Sequence, residues 1–322
     1  MSENMNPATS IVPVVETGNI APSDPIAPFL AGQLSPQTKR AYAADLRAFL
    51  AHVPVDRPEH VTRAHVEDWR NAMMEAGLSP STIARRLSTV RAMFAYLVGE
   101  GVLDRNPAAH VRSPKVSAEG KPPGLTLAEG RLLLEQPNRS TLRGVRDYAI
   151  LKLMLHTGIR RAELVNIKAG DFGQERGYVT LTVIGKGGSR RVIPLTPPVV
   201  EAIDAYRQAS GRDFSDPEAY LFTPTRTGKT GTDLPSGLSP LSRQMSTQAV
   251  WLIVKKYADK AGLSDKVSPH SCRVAAVTRA LDLGCAHRDV AAMTGHASVA
   301  MVERYDRDRQ NLDRNAALKL DF

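Results

Sequence analysis

Hydrophobic positions recur at helical spacing in two segments near the start of the chain, and both segments open with the same signature. Residues 34–38 and 78–82 each read Leu-Ser-Pro-x-Thr. In that signature Ser can cap a helix, and Pro fits the first helical position, where its missing N–H costs nothing. The apolar positions that follow place one stripe on each helix: Tyr42, Leu46, Phe49 and Leu50, then Ile83, Leu87, Val90, Phe94 and Leu97. A third helix is predicted over 61–74, with Trp69 in the core.

The opposite faces of the two capped helices are basic. A helix fits the major groove of DNA, and two basic helices in one small domain favour DNA binding over ordinary solvated faces. Which side chains reach a base edge and which contact only phosphates stays open. The candidate DNA-binding residues are Lys39, Arg40, Arg47, Arg85, Arg86 and Arg91.

From residue 125 the pattern changes to helices around a short hairpin. Segments 178–184 and 191–195 are β-rich and flank the Gly-rich turn 185–189, which predicts two antiparallel strands. The predicted fold is mainly α with a small antiparallel β-sheet, in two domains. Helices are expected at 126–134, 143–155, 199–207, 247–261, 269–283, 287–294, 298–305 and 310–319.

Proline, glycine and charge divide the chain into parts. The Pro-rich acidic stretch 1–27 predicts a disordered tail. Residues 113–124, with three prolines and two glycines, predict a linker that lets two domains close around a duplex. The segment 223–246 is typical of a surface loop. The domains are therefore expected at 28–112 and 125–322.

Composition narrows the class of partner. The 322 residues suit about two domains, and 42 Lys+Arg against 33 Asp+Glu give a net charge of +9. Such a balance favours nucleic acid first and an anionic membrane second. Two cysteines exclude a disulfide scaffold, and no apolar run reaches the ~18–20 residues of a membrane span. With no signal-peptide pattern, a cytoplasmic protein associated with the nucleoid is expected.

Five short segments carry candidate chemistry. His270 and Arg273 share one face at the start of a helix, an end that favours anions. Each segment alone has an ordinary interpretation: a surface Arg, a solvated hairpin Lys, a structural His or a packing Tyr. In chain order the candidates are Arg160 in TGIRRAE, Lys186 in GKGG, His270 and Arg273 in HSCR, His296 after Gly295, and Tyr305.

In this order and spacing the residues resemble those of the tyrosine recombinases, and residues 28–322 look like a member of the Xer and phage-integrase type. The first domain then resembles the family's core-binding domain and the second its mixed α/β catalytic domain. Two positions depart from the usual pattern: Cys272 stands where Leu is usual, and Thr294 replaces an apolar residue. Neither departure removes a catalytic residue type.

The resemblance implies an enzyme that cuts and rejoins DNA strands. Tyr305 is expected to attack the phosphodiester and form a covalent 3′-phosphotyrosine. Arg160 and Arg273 are expected to bind the phosphate oxygens, where charge develops.

It also assigns the proton transfers. Lys186 is expected to act as general acid to the 5′ oxygen, and His270 to help deprotonate Tyr305. His296 is expected to hydrogen-bond the phosphate. Glu163 is interpreted as a partner that orients an Arg.

Two arginines take the place of a metal in this scheme, so no metal site is expected. The sequence has neither a carboxylate cluster for two-metal chemistry nor a Walker-type GxxxxGK[ST] motif. We therefore expect no metal, ATP or other cofactor.

The resemblance also implies an assembly. The expected DNA is a duplex with inverted-repeat core sites, bound by a dimer and synapsed in a tetramer, with an accessory protein as a further potential partner. The amphipathic stretch 310–322 is expected to be an oligomerisation helix that docks on a neighbour, although it can also pack on its own domain.

The sequence leaves rival interpretations open. A catalytically silent, sequence-specific DNA-binding accessory protein and a type IB-like DNA-relaxing enzyme use the same residue types. A membrane-surface protein is disfavoured, because no basic amphipathic helix carries bulky apolar residues. Integration, excision, cointegrate resolution and chromosome-dimer resolution are not distinguished.

Overall fold

The computed structural model describes residues 26–115, 124–225 and 243–307, which fall into two compact units divided between Gly120 and Lys121. Most of the predicted tail, the linker, the 223–246 loop and all of the predicted 310–322 helix lie outside the described residues. Within the described part, no helix is long and apolar enough to cross a bilayer.

The first unit is a small helical bundle. Its helices are α1 (Ile26–Ala31), α2 (Pro36–His52), α3 (Arg63–Glu75) and α4 (Pro80–Gly99). Ser35 and Ser79 cap α2 and α4, with their hydroxyls accepting from the backbone N–H of Thr38 and Thr82 at 3.4 and 3.2 Å. The capped starts are those that the repeated Ser-Pro signature predicts.

Aromatic side chains hold this bundle together. The ring of Phe49 meets Trp69 edge to face at 5.1 Å and Phe94 at 6.0 Å, and all three residues are buried. Helix α1 begins inside the stretch predicted to be a disordered tail. Its buried Phe29 packs on the Tyr42 and Tyr96 rings. The prolines of the tail favour disorder, and this tertiary contact, which local sequence does not show, stabilises the helix.

The second unit contains the remaining elements. These are α5 (Leu127–Glu135), α6 (Leu142–Thr157), α7 (Arg161–Leu164), β1 (Phe172–Glu175), β2 (Tyr178–Ile184), β3 (Arg190–Pro194), α8 (Pro197–Ser210), α9 (Thr247–Lys260), α10 (Pro269–Asp282), α11 (His287–Thr294) and α12 (Val299–Arg307). The predicted mainly α fold with a small antiparallel sheet is confirmed.

The sheet has the strand order β1-β2-β3, and both pairings are antiparallel. Strand β1 was not predicted, because four residues are too few to show an alternating pattern. Its two-residue turn to β2 uses Arg176 and Gly177 at φ 50° and 82°, the left-handed pair of a type I′ hairpin. In the predicted hairpin, Val183 of β2 lies opposite Arg191 of β3.

Three helix ends converge on one place in this unit. Gly158 ends α6 and Gly295 ends α11, both in the left-handed conformation that favours glycine. A Cβ at Gly158 would lie 3.1 Å from the Thr294 side chain and 3.3 Å from Ala276 of α10. The chain that follows each glycine therefore enters the space beside the start of α10.

Candidate active site

Arg160 lies two residues after Gly158, at the N-cap of α7. Its Nη2 donates to the Gly295 carbonyl at 2.7 Å, and its Nη1 donates to Glu163 at 2.9 Å. The side chain stays 39% exposed, so part of the guanidinium can reach a ligand from solvent. The predicted role of Glu163 as a partner of an Arg matches this contact.

Arg273 reaches the same place from the first turn of α10. It is buried, and its Nη1 donates to the carbonyls of Gly158 at 2.6 Å and Thr294 at 2.8 Å. Burial and the nearby charge of Arg160 lower the pKa of Arg273 to about 10, which leaves the group cationic at pH 7. Arg160 Nη1 lies 3.5 Å from the same Thr294 carbonyl, so both guanidinium groups donate to one carbonyl oxygen.

Both candidate histidines lie beside this pair of arginines. His296 Nε2 lies 3.0 Å from Arg273 Nη2. Loss of water contact and the charges of Arg273 and Arg160 lower the pKa of His296 to about 4, so its ring is neutral at pH 7. Partial burial and Arg273 also lower the pKa of His270, which lies one residue into α10 on the accessible side.

Tyr305 lies on α12 next to His296. The two rings are 5.7 Å apart between centroids, and Tyr305 packs on the small apolar cluster that contains the buried Val302. The structure thus brings Arg160, Arg273, His270, His296 and Tyr305 into one pocket.

Lys186 lies on the turn that joins β2 to β3, and its side chain is outside the described residues. The backbone before it approaches the pocket closely. A Cβ at Gly185 would lie 3.5 Å from Glu163 Oε1. The base of the hairpin therefore lies against the carboxylate that holds Arg160.

Arg191 belongs to this cluster, and sequence reasoning missed it. Its Nη1 and Nη2 donate to the two oxygens of Glu163 at 3.1 and 2.7 Å, and its Nε donates to the Met293 carbonyl at 3.0 Å. The alternating pattern of the strand could have predicted that Arg191 faces inward, because residues 191, 193 and 195 share a face. Ile193 and Leu195 on that face are buried. An arginine on that face needs a buried partner.

Around Glu163 the pocket has an excess of positive charge. Burial by itself would raise the pKa of Glu163, but hydrogen bonds from Arg191 and Arg160 outweigh this and lower it. The carboxylate is therefore ionised, and it faces Arg160 and Arg191 with Arg273 nearby. Such a pocket is suited to an anion with several oxygens, such as a phosphodiester.

Within the described ranges, no group of His, Cys, Asp and Glu side chains is placed to hold a metal ion. Cys272 is fully buried in the apolar core of the second unit, and burial raises the pKa of its thiol to about 12. It is therefore a packing residue beneath the pocket.

The candidate DNA-binding residues of the first unit have different surroundings. Lys39, Arg40 and Arg47 are exposed on α2. Arg85 forms a bidentate ion pair with the buried Asp45, and Arg86 lies 3.7 Å from the same carboxylate. Arg91 donates to the carbonyls of Ala108, at 3.2 Å, and Val111 and to the Ser113 hydroxyl, so its guanidinium is bound within the unit itself.

Family comparison gives a consistent result over nearly the whole chain. Residues 125–311 match the model of the phage integrase family, and residues 29–101 match the N-terminal SAM-like domain of phage integrases. A tyrosine recombinase of Synechococcus elongatus is 32% identical over 94% of this chain and 95% of its own length. The tyrosine recombinase XerD of Listeria monocytogenes is 28% identical over 84% of this chain and 88% of its own.

Solved structures share the fold. A lambda integrase fragment, solved as a dimer on a core site, superposes with a TM-score of 0.70 at 19% identity, covering 89% of this chain and 95% of that one. XerH recombinase in a post-cleavage complex with DNA gives 0.69 at 18% identity, covering 87% of this chain and 79% of that one.

Proposed function

This chain belongs to the phage integrase family and is a tyrosine-type site-specific recombinase, and we propose that Tyr305 is its nucleophile. The observation that supports this assignment is the placement of the Tyr305 ring 5.7 Å from His296, whose Nε2 lies 3.0 Å from Arg273. A phosphate bound at the arginines would lie within reach of this tyrosine.

The cleavage step then proceeds by exchange of one ester for another. The Tyr305 oxygen forms a bond to phosphorus, the bond to the 5′ oxygen breaks, and the 3′ phosphate stays on the enzyme. Arg160 and Arg273 stabilise the charge on the non-bridging oxygens, usually the largest catalytic contribution. Rejoining reverses the step with a new 5′ hydroxyl.

Protons move between named groups in this scheme. His270 accepts the phenolic proton of Tyr305, and its lowered pKa keeps the ring neutral and able to do so at pH 7. Lys186 donates a proton to the leaving 5′ oxygen from the hairpin beside Glu163. His296 binds a phosphate oxygen opposite Arg273.

The proposed reaction needs neither ATP nor a metal ion. The phosphotyrosine ester conserves the energy of the broken ester, so rejoining requires no external energy source. Arginine guanidinium groups supply the positive charge that a metal supplies elsewhere.

We propose that the substrate is duplex DNA with inverted-repeat core sites, bound by a dimer and exchanged in a tetramer. Lambda integrase has been solved as a dimer on a core site and as a tetramer on a Holliday junction, which supports this assembly by likeness of fold. Residues 310–322 are proposed to dock on a neighbouring protomer. Deleting them is expected to weaken synapsis more than binding to one half-site, and equal loss of both would contradict that docking.

The proposed function is tested by trapping covalent protein–DNA adducts in cells and sequencing the attached DNA. Wild type is expected to give adducts at one short inverted repeat, and Tyr305→Phe none. Tyr178→Phe serves as the matched control, because Tyr178 is exposed on the sheet of the same unit. Adducts scattered over many sequences would identify a relaxing enzyme, and specific DNA recovered without adducts would identify a silent accessory protein.

A further inference from the structure

Thr294 is the last residue of α11, and its side chain has no contact with water. It is fully buried, and its hydroxyl donates to the Val290 carbonyl one turn back at 2.6 Å. The same oxygen lies 2.7 Å from His296 Nδ1. The buried hydroxyl therefore connects the end of α11 to a histidine of the pocket.

The donor and the acceptor in each hydrogen bond around His296 and Thr294 follow from the chemistry of the groups. Arginine has only donors, so the 3.0 Å contact from Arg273 Nη2 makes His296 Nε2 the acceptor. A neutral imidazole with Nε2 unprotonated carries its proton on Nδ1. Since the Thr294 proton goes to Val290, the Thr294 oxygen is free to accept the proton of Nδ1.

We propose that Thr294 is a positioning residue that holds His296 as the Nδ1–H tautomer, with the Nε2 lone pair directed at Arg273. The catalytic consequence rests on the proposed function, in which His296 binds the scissile phosphate. The bound phosphate anion favours the cationic ring, so Nε2 takes up a proton from solvent and donates it to a phosphate oxygen without rotation of the ring. The Thr294 carbonyl supports the same geometry, because it accepts from Arg273 at 2.8 Å.

An apolar side chain at position 294 leaves neither tautomer with good partners. With the proton on Nδ1, the Nδ1–H loses its acceptor, because a methyl group replaces the Thr294 hydroxyl. With the proton on Nε2, the Nε2–H and the Arg273 Nη2–H face each other with no acceptor between them. The ring of a Thr294→Val variant is therefore expected to populate both tautomers or to rotate.

Nitrogen NMR of the ¹⁵N-histidine-labelled full-length protein tests this directly, with the His296 signals assigned by their loss in His296→Gln. In wild type and in Thr294→Ser, which keeps the hydroxyl, we expect Nδ1 protonated and Nε2 unprotonated at pH 7. In Thr294→Val we expect a mixture or the opposite tautomer. Protonated Nε2 in wild type, or an unchanged tautomer in Thr294→Val, would overturn the proposal.

A matched variant separates positioning from stability. Thr157 is also buried near the end of a helix and donates back to a carbonyl, that of Leu153 at 2.7 Å, but its hydroxyl has no histidine partner. Thr157→Val is expected to alter thermal stability without changing the His296 tautomer. The same change of tautomer in Thr157→Val would show that general loosening is the cause.

Single-turnover DNA cleavage supplies the functional readout. Thr294→Val is expected to slow cleavage by about 10–100-fold, the scale of a misplaced catalytic group, while Thr294→Ser stays close to wild type. Equal rates for Thr294→Val and wild type would overturn the catalytic role. If wild type itself fails to cleave, the proposed function fails while the NMR result on the tautomer still stands.

Discussion

The carboxylate of Glu163 is bound by both terminal nitrogens of Arg191, at 3.1 and 2.7 Å. Because Glu163 also accepts from Arg160, this ion pair joins strand β3 to the arginine at the start of α7. The turn that carries Lys186 lies immediately before β3. The pair therefore fixes the hairpin relative to the rest of the pocket.

Replacing Arg191 is expected to damage catalysis more than DNA binding. Arg191→Met leaves one side of Glu163 without a donor and releases β3 from the Met293 carbonyl. We expect single-turnover cleavage to fall by about 100-fold, because small shifts of catalytic groups have effects of that size. Arg190→Met, at the exposed neighbouring position, is the control. Equal effects of the two variants would contradict the role given to Arg191.

Glu163 is expected to make stability depend on pH. Hydrogen bonds from Arg191 and Arg160 outweigh burial and lower its pKa below the usual 4.5. The folded state thus binds fewer protons than the unfolded state in this range, so the stabilisation is present above about pH 4.5 and is lost as pH falls through the folded pKa.

Urea unfolding of wild type and Glu163→Gln from pH 7 to pH 3 measures this contribution. The difference between their free energies of unfolding is expected to be constant above about pH 4.5 and to shrink below it. A difference that does not change with pH would show that the Glu163 charge contributes nothing.

Two arginines of the first unit are expected to behave in opposite ways. Arg47→Ala removes an exposed charge, so it should weaken binding to all DNA sequences and reduce the salt slope by about one. Arg91→Ala leaves the Ala108 and Val111 carbonyls without this donor, so it should lower the free energy of unfolding by about 1–3 kcal/mol. Salt-titrated DNA binding and thermal melting of both variants check the pair. A reversed pattern would contradict these assignments.

Chelation is expected to leave strand cleavage unchanged. In the proposed mechanism Arg160 and Arg273 supply the positive charge at the phosphate, so adduct formation should proceed at the same rate with and without EDTA. The measurement compares initial rates at constant ionic strength, because salt alone weakens DNA binding. Cleavage that stops in EDTA and returns with Mg²⁺ would contradict the arginine mechanism.

Local sequence predicted the elements that have strong local signals. The Ser-Pro starts of α2 and α4 and the Gly-rich hairpin turn are examples, because capping and turn chemistry act within a few residues. The family resemblance predicts one site from residues in distant segments, and the fold brings them together. They are Arg160, His270, Arg273, His296 and Tyr305.

Features set by tertiary contacts escaped prediction. Arg190 and Arg191 look alike in sequence, and only the strand register turns Arg191 toward Glu163. The carbonyl partners of Arg91 are equally invisible in the sequence, because only the fold places α4 beside the later turn that contains Ala108. The role of Thr294 depends on where the chain turns after Gly295, so the sequence shows it only as a departure from the family pattern.

Mass spectrometry of the covalent adduct identifies the nucleophile. Purified full-length protein is incubated with a nicked duplex carrying the site recovered from cells, and the trapped adduct is digested and sequenced. We expect a peptide in which Tyr305 carries the 3′ phosphate, and no adduct from Tyr305→Phe. An adduct on another residue, or cleavage without any covalent adduct, would contradict it.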